Sequence, residues 1–427
     1  MRGETPGWAI LAPMKRLGLA GLTILLAGCG AASAAPSPPT LRIGAIFPLG
    51  ASSGPQPADE LLGVTIARDM VNAGGGVSGR RIQLDVRDVN TTAAAQPAAD
   101  SLRAHGVSAV IGGYSSELSI AASSAVARDG MVYWESGAVA DRVTGRGLPL
   151  VFRVGADGAV LGGNSGRFVV QQLSPRLGRA PASLHVYLVT ADDGYAHSVA
   201  DDARATLASS GVSRFDESAY DPYAPYWPPI LASIARAHPD VLVLSSHVPD
   251  GIAFRRAFLA ARLHVDAFIG STMAQCMSTF GDTLGRQAVG VFASDRPDDN
   301  FNPAGLLPDA RALYDRFAQT WRQHTTTAPS IDGIDGFAAA WALFQHVLPR
   351  ASGFDAASIA ASARTLDVPD GALPNGAGVR FAASGPRLGQ NTRAAAVIWQ
   401  WQAVGHSVVV WPPAFATGSI EMVPLPV

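Results

Sequence analysis

Leu41-Arg42-Ile43-Gly44-Ala45-Ile46-Phe47 is a short apolar run of strand length. A loop rich in Pro, Gly and Ser follows it, and Leu62, Ile66 and Met70 then recur at helical spacing, which predicts an amphipathic helix. Strand, loop and helix form a unit that recurs. The run Ile82 to Val86 precedes a helix around Pro97 to His105, Ser108 to Ile111 precedes one around Ser119 to Arg128, and Met131 to Trp134 follows. After Val151 to Arg153 the pattern restarts: Leu184 to Thr190 leads to a helix near Tyr195 to Leu207, Asp240 to Leu244 to one near Ile252 to Ala261, and strands follow at Ala267 to Gly270 and Val289 to Ala293. Such alternation predicts two α/β bodies, each a parallel sheet flanked by helices. Arg311 to Trp321 and Phe337 to Leu348 read as long core-facing helices, and Ala394 to Val410 as antiparallel and aromatic.

Length and composition agree with this. A chain of 427 residues exceeds what one core holds, and 48% hydrophobic against 15% charged residues supplies a large buried interior. Acids and bases nearly cancel, 34 against 32, with no basic block, so nucleic acid is not an expected partner. Lys15 is the sole lysine, which excludes a Walker lysine and a Schiff-base lysine.

The start of the chain reads as an address. Lys15 and Arg16 precede the apolar run Leu17 to Ala27, which is too short for a permanent membrane span. Leu26-Ala27-Gly28-Cys29 looks like a bacterial lipobox. Residues 1–28 are then a lipoprotein signal peptide, Cys29 is the lipidated residue, and 29–40, small and proline-rich, is a flexible tether. The chain is expected to be exported and anchored to the cell envelope through this lipid, in the periplasm or on the outer face of the membrane. The competing reading is an ordinary secretory signal cut after Ala34 or Ala35, and Met14 is a second possible start. With Cys29 acylated, Cys276 has no partner and no internal disulfide is expected.

Several pieces together suggest a family. Asn72 to Ile82 (NAGGGVSGRRI) lies between a helix and a strand; Val110-Ile111-Gly112-Gly113-Tyr114-Ser115-Ser116 joins strand to helix; Gly137-Ala138-Val139 follows the next strand; Asp193-Gly194-Tyr195 opens a helix of the second body; Arg380-Phe381 with Gly385 comes late. In this order, across roughly residues 41 to 410, the chain resembles the leucine/isoleucine/valine-binding family, the type I solute-binding proteins of ABC importers. The resemblance implies two Rossmann-like lobes joined by three crossing segments, with a ligand cleft between them. The crossings would fall near Gly155, Ala293 and Leu388, giving lobe 1 as 41–155 plus 294–388 and lobe 2 as 156–293 plus 389–427. The implied partners are a small-molecule ligand (an amino acid, amide or small carboxylate) and a membrane permease.

Candidate ligand-binding residues carry over one by one. Ser115 and Ser116 open a helix, where N–H groups and hydroxyls suit a carboxylate; a plain helix cap is the alternative. Gly137 and Val139 lie in the next strand-end loop, Val139 standing where the family usually has threonine. Tyr195 matches the aromatic that closes over ligand from the second lobe, and His247 lies in another strand-end loop. Thr272 occupies a segment where amino-acid-binding relatives carry an acid, and a buried ammonium without its carboxylate is costly. Either Glu135 or Glu117 substitutes, or the ligand lacks an amine, which is the expectation drawn from Thr272.

Enzyme motifs do not hold up. Gly74 to Gly79 spells a dinucleotide fingerprint but follows a helix and precedes a strand, the reverse of what that motif needs. Gly50 to Gly54 spells a nucleophile elbow, yet Pro55 and Pro57 follow it. The nine histidines are scattered, so neither a metal site nor a cofactor is expected. A receptor for an importer, a ligand-sensing lobe of the same fold and an enzyme remain as functional classes, with the importer receptor favoured by the lipobox.

Overall fold

The computed structural model describes residues 39–426. The signal peptide, Cys29 and nearly all of the tether lie outside the described residues. β1 (Thr40–Phe47), α1 (Gln56–Ala73), β2 (Arg81–Asp88), α2 (Ala95–Ala104), β3 (Ala109–Gly112), α3 (Ser116–Arg128), β4 (Val132–Glu135) and β5 (Val151–Arg153) build a first sheet. Its strands are parallel in the order β2-β1-β3-β4-β5. α4 (Gly158–Phe168) and the single turn α5 (Ser174–Arg176) lead into a second sheet: β6 (His185–Ala191), α6 (Gly194–Ser209), β7 (Arg214–Tyr220), α7 (Pro228–Ala237), β8 (Val241–Ser245), α8 (Val248–Ala260), β9 (Ala267–Gly270), α9 (Ser278–Leu284) and β10 (Phe292–Asp295). The chain then returns to the first body through α10 (Pro308–Thr325), α11 (Ile331–Trp341) and α12 (Ala356–Arg364). β11 (Val397–Ala403) and β12 (His406–Trp411) finish the second sheet as antiparallel strands.

The second sheet, β12-β11-β10-β9-β8-β6-β7, contains the first sheet's order again as β7-β6-β8-β9-β10. In both bodies the first strand has neighbours on either side that are reached by opposite windings, which opens a crevice at the strand C-termini there. Every loop described below as part of the site leaves such an end.

Two features of the packing matter for the site. Gly63 on α1 and Gly336 on α11 let these helices nearly touch: a Cβ on Gly63 would lie 2.1 Å from Gly333 O, and one on Gly336 2.1 Å from Glu60 O. That contact seats Glu60 under the first sheet's loops. The passages between the sheets are also pinned. Arg153, fully buried, donates to Gln390 Oε1 (2.5 Å), Ala138 O (2.9 Å) and Ala140 O (2.8 Å), while Gln390 Nε2 donates to Gly155 O (3.0 Å) and Asn391 Nδ2 to Val154 O (2.9 Å). The segments 153–155 and 390–391 therefore run side by side, with backbone carbonyls of both met by side chains.

Some elements differ from the sequence reading. β7 was not expected, because Arg214–Tyr220 (RFDESAY) is an edge strand whose mixed polar residues stay partly exposed. α4 was hidden by its four glycines, which lower helix propensity while letting it pack closely on α6. The strand expected at Val289 to Ala293 lies at Phe292–Asp295.

Candidate functional site

A cavity of about 600 Å³, mouth included, lies where loops of the two sheets face each other. From the first body it is lined by Tyr114, Ser115, Ser116 and Glu117 after β3, and by Gly137, Ala138 and Val139 after β4. From the second it is lined by Asp193 and Tyr195 after β6, Tyr223 after β7, His247 after β8 and Met273 after β9.

The first wall is made of backbone and small side chains. Ser115 caps α3 without a side-chain cap bond, so its hydroxyl is unspent by the helix. Ser116 Oγ accepts from Ala140 N (3.1 Å), which ties the two lining loops together and leaves its proton to donate. Glu60 lies directly behind. Its carboxylate accepts from Ser136 Oγ, and a Cβ on Gly137 would come within 2.7 Å of Glu60 Oε1. Residue 137 is therefore glycine for lack of room. Burial, reinforced by the charge of Glu135, holds the Glu60 carboxyl well above the ordinary range.

Deeper still, Arg296, just past β10, ties the wall to α11. Its guanidinium meets Asp335 (2.9 Å), Asp295 (3.2 Å) and Asp332 (3.4 Å) and donates to Gly137 O (3.2 Å), all of it buried. Burial pushes Asp332 up to about 7 and Asp335 up to about 6, with Arg296 opposing the shift in each case.

The second wall is aromatic and held by one ion pair. Asp193 caps α6, its Oδ1 accepting from the N–H of Tyr195 and Ala196 (2.9 Å each), while its Oδ2 meets His247 Nε2 at 2.6 Å. The Tyr195 and His247 rings are 5.0 Å apart. Although burial works against both charges, the pair lowers the Asp193 carboxyl and raises the His247 imidazolium. Tyr195 Oη is buried without a hydrogen-bond partner. Such an orphan costs about 1–3 kcal/mol.

Of the eight candidate residues, Ser115, Ser116, Gly137, Val139, Tyr195 and His247 lie on this cavity; Thr272 and Glu135 do not. Glu135 is fully buried behind the wall, its Oε1 accepting from Gly137 N and Ala138 N (2.9 Å each), so it shapes the loop from beneath. Thr272 is buried with an unpartnered hydroxyl, and the neighbouring Met273 lines the cavity instead. The backbone there takes φ of 144° at Thr272 and 20° at Met273, a turn that no sequence period signals. Tyr114, Ala138, Asp193, Tyr223 and Met273 are lining residues that sequence reasoning did not select. Asp193 was visible as the opening of a helix, whereas Tyr223 follows the unread strand β7.

A family model described as a periplasmic binding protein matches residues 40–401. The chain belongs to the periplasmic binding protein family. That is a family of solute-binding proteins. Among curated members, the Leu/Ile/Val-binding protein homolog 8 of Brucella abortus is 28% identical over 375 residues, 87% of this chain and 90% of that one. A solved structure described as a putative branched-chain amino acid ABC transporter from Silicibacter pomeroyi shares the fold with a TM-score of 0.73 at 19% identity, covering 90% of this chain and 99% of that one. A substrate-binding protein from Desulfitobacterium hafniense, solved in complex with Leu, aligns with a TM-score of 0.67 at 20% identity, over 87% of this chain and 100% of that one.

Proposed function

We propose that this family member is an extracytoplasmic receptor that captures a small carboxylate-bearing ligand by closing its two lobes on it and delivers it to the permease of an ABC importer. The observation carrying this reading is the convergence on one cavity of the α3 N-terminus with Ser115 and Ser116 from one sheet and a ring of Tyr195, Tyr223 and His247 from the other. Free N–H groups at a helix start, with two hydroxyls, attract a carboxylate; aromatic rings opposite supply the apolar contact. The Leu complex of the Desulfitobacterium hafniense relative supports an amino-acid-like ligand. The lobes are proposed as 41–155 with 294–388 and 156–293 with 389–427, and the anchor as a lipid on Cys29.

A thermal-shift panel of amino acids, amides and carboxylates on the mature chain, followed by calorimetry, tests the reading. Ser116→Ala is expected to weaken the best ligand by about 1.5–3 kcal/mol, roughly ten- to hundredfold, through loss of a charge-assisted hydrogen bond. Undiminished affinity would reduce Ser116 to a tie between two loops.

A further inference from the structure

Behind the first wall, α1 brings up a carboxyl group that has no cation of its own. Glu60 is fully buried. Its two oxygens sit beneath the two loops that carry the wall: a Cβ on Gly113, after β3, would lie 2.8 Å from Oε2, and one on Gly137, after β4, 2.7 Å from Oε1. Gly137 itself lines the cavity. One thickness of backbone therefore separates Glu60 from the ligand space.

The donors around this carboxyl decide its state. Oε1 accepts from Ser136 Oγ, whereas Oε2 has no hydrogen-bond partner. Glu135 and Tyr133 on β4, Tyr114 after β3, Asp332 on α11 and Arg296 past β10 are the titratable and charged groups that face it. Arg296, the cation among them, is already shared by Asp295, Asp332 and Asp335. A buried carboxylate with one hydroxyl donor and acids around it is costly, so the group keeps its proton. Burial is the main cause, and the charge of Glu135 adds to it.

A neutral group matters at this place because of what the wall receives. No arginine or lysine is among the lining residues, and the His247 side chain is held by Asp193. Ser115 and Ser116 would thus hold a ligand carboxylate with N–H groups and hydroxyls alone. A negative charge one backbone layer behind them would oppose the ligand in an interior that water screens little.

We propose that Glu60 is a positioning residue of the ligand wall: as a neutral acid it props the loops after β3 and β4 from behind, and its ionisation repels the carboxylate those loops bind. The proposal rests on the carboxylate reading above. Binding of an anionic ligand then favours the protonated form, so a proton is taken up on binding and affinity falls as pH rises through the Glu60 value.

Calorimetry from about pH 5 to 9, each point in two buffers of different ionisation enthalpy, tests it on the wild type, Glu60→Gln and His247→Asn. The probes are L-leucine, 4-methylpentanoate and 3-phenylpropanoate, with 4-methylpentanamide as the uncharged control. Wild-type affinity for a carboxylate that binds is expected to fall by about tenfold or more across the range, with proton uptake. Glu60→Gln has the same shape without the acid, and should match the wild type at the acid end and exceed it at the alkaline end. Loss of the His247 imidazolium gives a fall of the same sign, so the Glu60 part is what His247→Asn keeps and Glu60→Gln loses. A Glu60→Gln profile parallel to wild type, or a fall and a proton uptake that both vanish in His247→Asn, overturns the proposal while the carboxylate reading stands. The proton count on His247→Asn decides the matter even where Glu60→Gln does not fold. If none of the three carboxylates binds, or the amide binds as well as its acid at every pH, both fall.

Discussion

The two walls of the cleft are built on opposite plans. The first, Ser115 to Glu117 with Gly137 to Val139, presents backbone and small side chains, and its precision comes from behind: Glu60, Glu135 and Arg296 are buried and hold the loops by hydrogen bonds and ion pairs. The second, Tyr195, Tyr223, His247 and Met273, presents large side chains directly, with the Asp193–His247 pair as its main polar tie. A polar ligand end needs donors fixed to within a fraction of an ångström, which rigid backbone supplies. An apolar ligand end needs only area and shape, which rings and a thioether supply.

The greatest loss is expected where the first wall's support is removed. Arg296→Met would leave Asp295, Asp332 and Asp335 buried together without their cation, a destabilisation of about 3–5 kcal/mol, checked by urea unfolding. The contrast is with Arg255 on α8, which is buried, donates through Nε to Gln287 O and has Nη1 unpartnered. Arg255→Met should cost clearly less, and equal losses would erase the distinction between the two plans.

The second wall should respond to pH. His247 is raised above its ordinary 6.5, so its contribution is complete below that value and is lost as pH rises through the raised one. Asp193 is lowered below 3.8, so its contribution is complete above 3.8 and is lost as pH falls through the lowered value. The pair thus acts fully between about pH 4 and 6.5. His247→Asn should remove the alkaline part of this dependence from a melting-temperature profile, and a profile identical to wild type would deny the pair its role. Because the His247 and Asp193 side chains are 37% and 22% exposed, solvent screening keeps the effect small.

The mildest test adds a donor. Val139→Thr places a hydroxyl on the lining at a buried position among the second wall's apolar residues. Ligand affinity should change by no more than about 0.5–1.5 kcal/mol, measured by calorimetry. A gain for carboxylates would show that the first wall has an unfilled donor position.

Much of this was readable before any fold was known, for particular reasons. Buried parallel strands such as Val241–Ser245 are continuous apolar runs, and the loops after β3, β4, β6 and β8 carry small or capping residues. Those two signals are local and mark the strand ends; the family resemblance, laid on them, singled out Ser115, Ser116, Gly137, Tyr195 and His247. Tyr223 escaped because β7 is a polar edge strand, and Met273 because a positive-φ turn swaps it with Thr272. Glu135 could not be judged from its position: a strand-end acid faces outward or inward according to the backbone it finds to bond.

The sequence by itself determined the alternation of strands and helices and the order of the two bodies, because hydrophobic period and turn chemistry act over a few residues, and its motifs resembled those of the family. Only the tertiary structure decided which acids face the cleft. Glu60, Glu117, Glu135 and Asp295 come from four separate parts of the chain, and their roles depend on whether neighbouring N–H groups, an arginine or open space meets each carboxylate once the sheets are brought together.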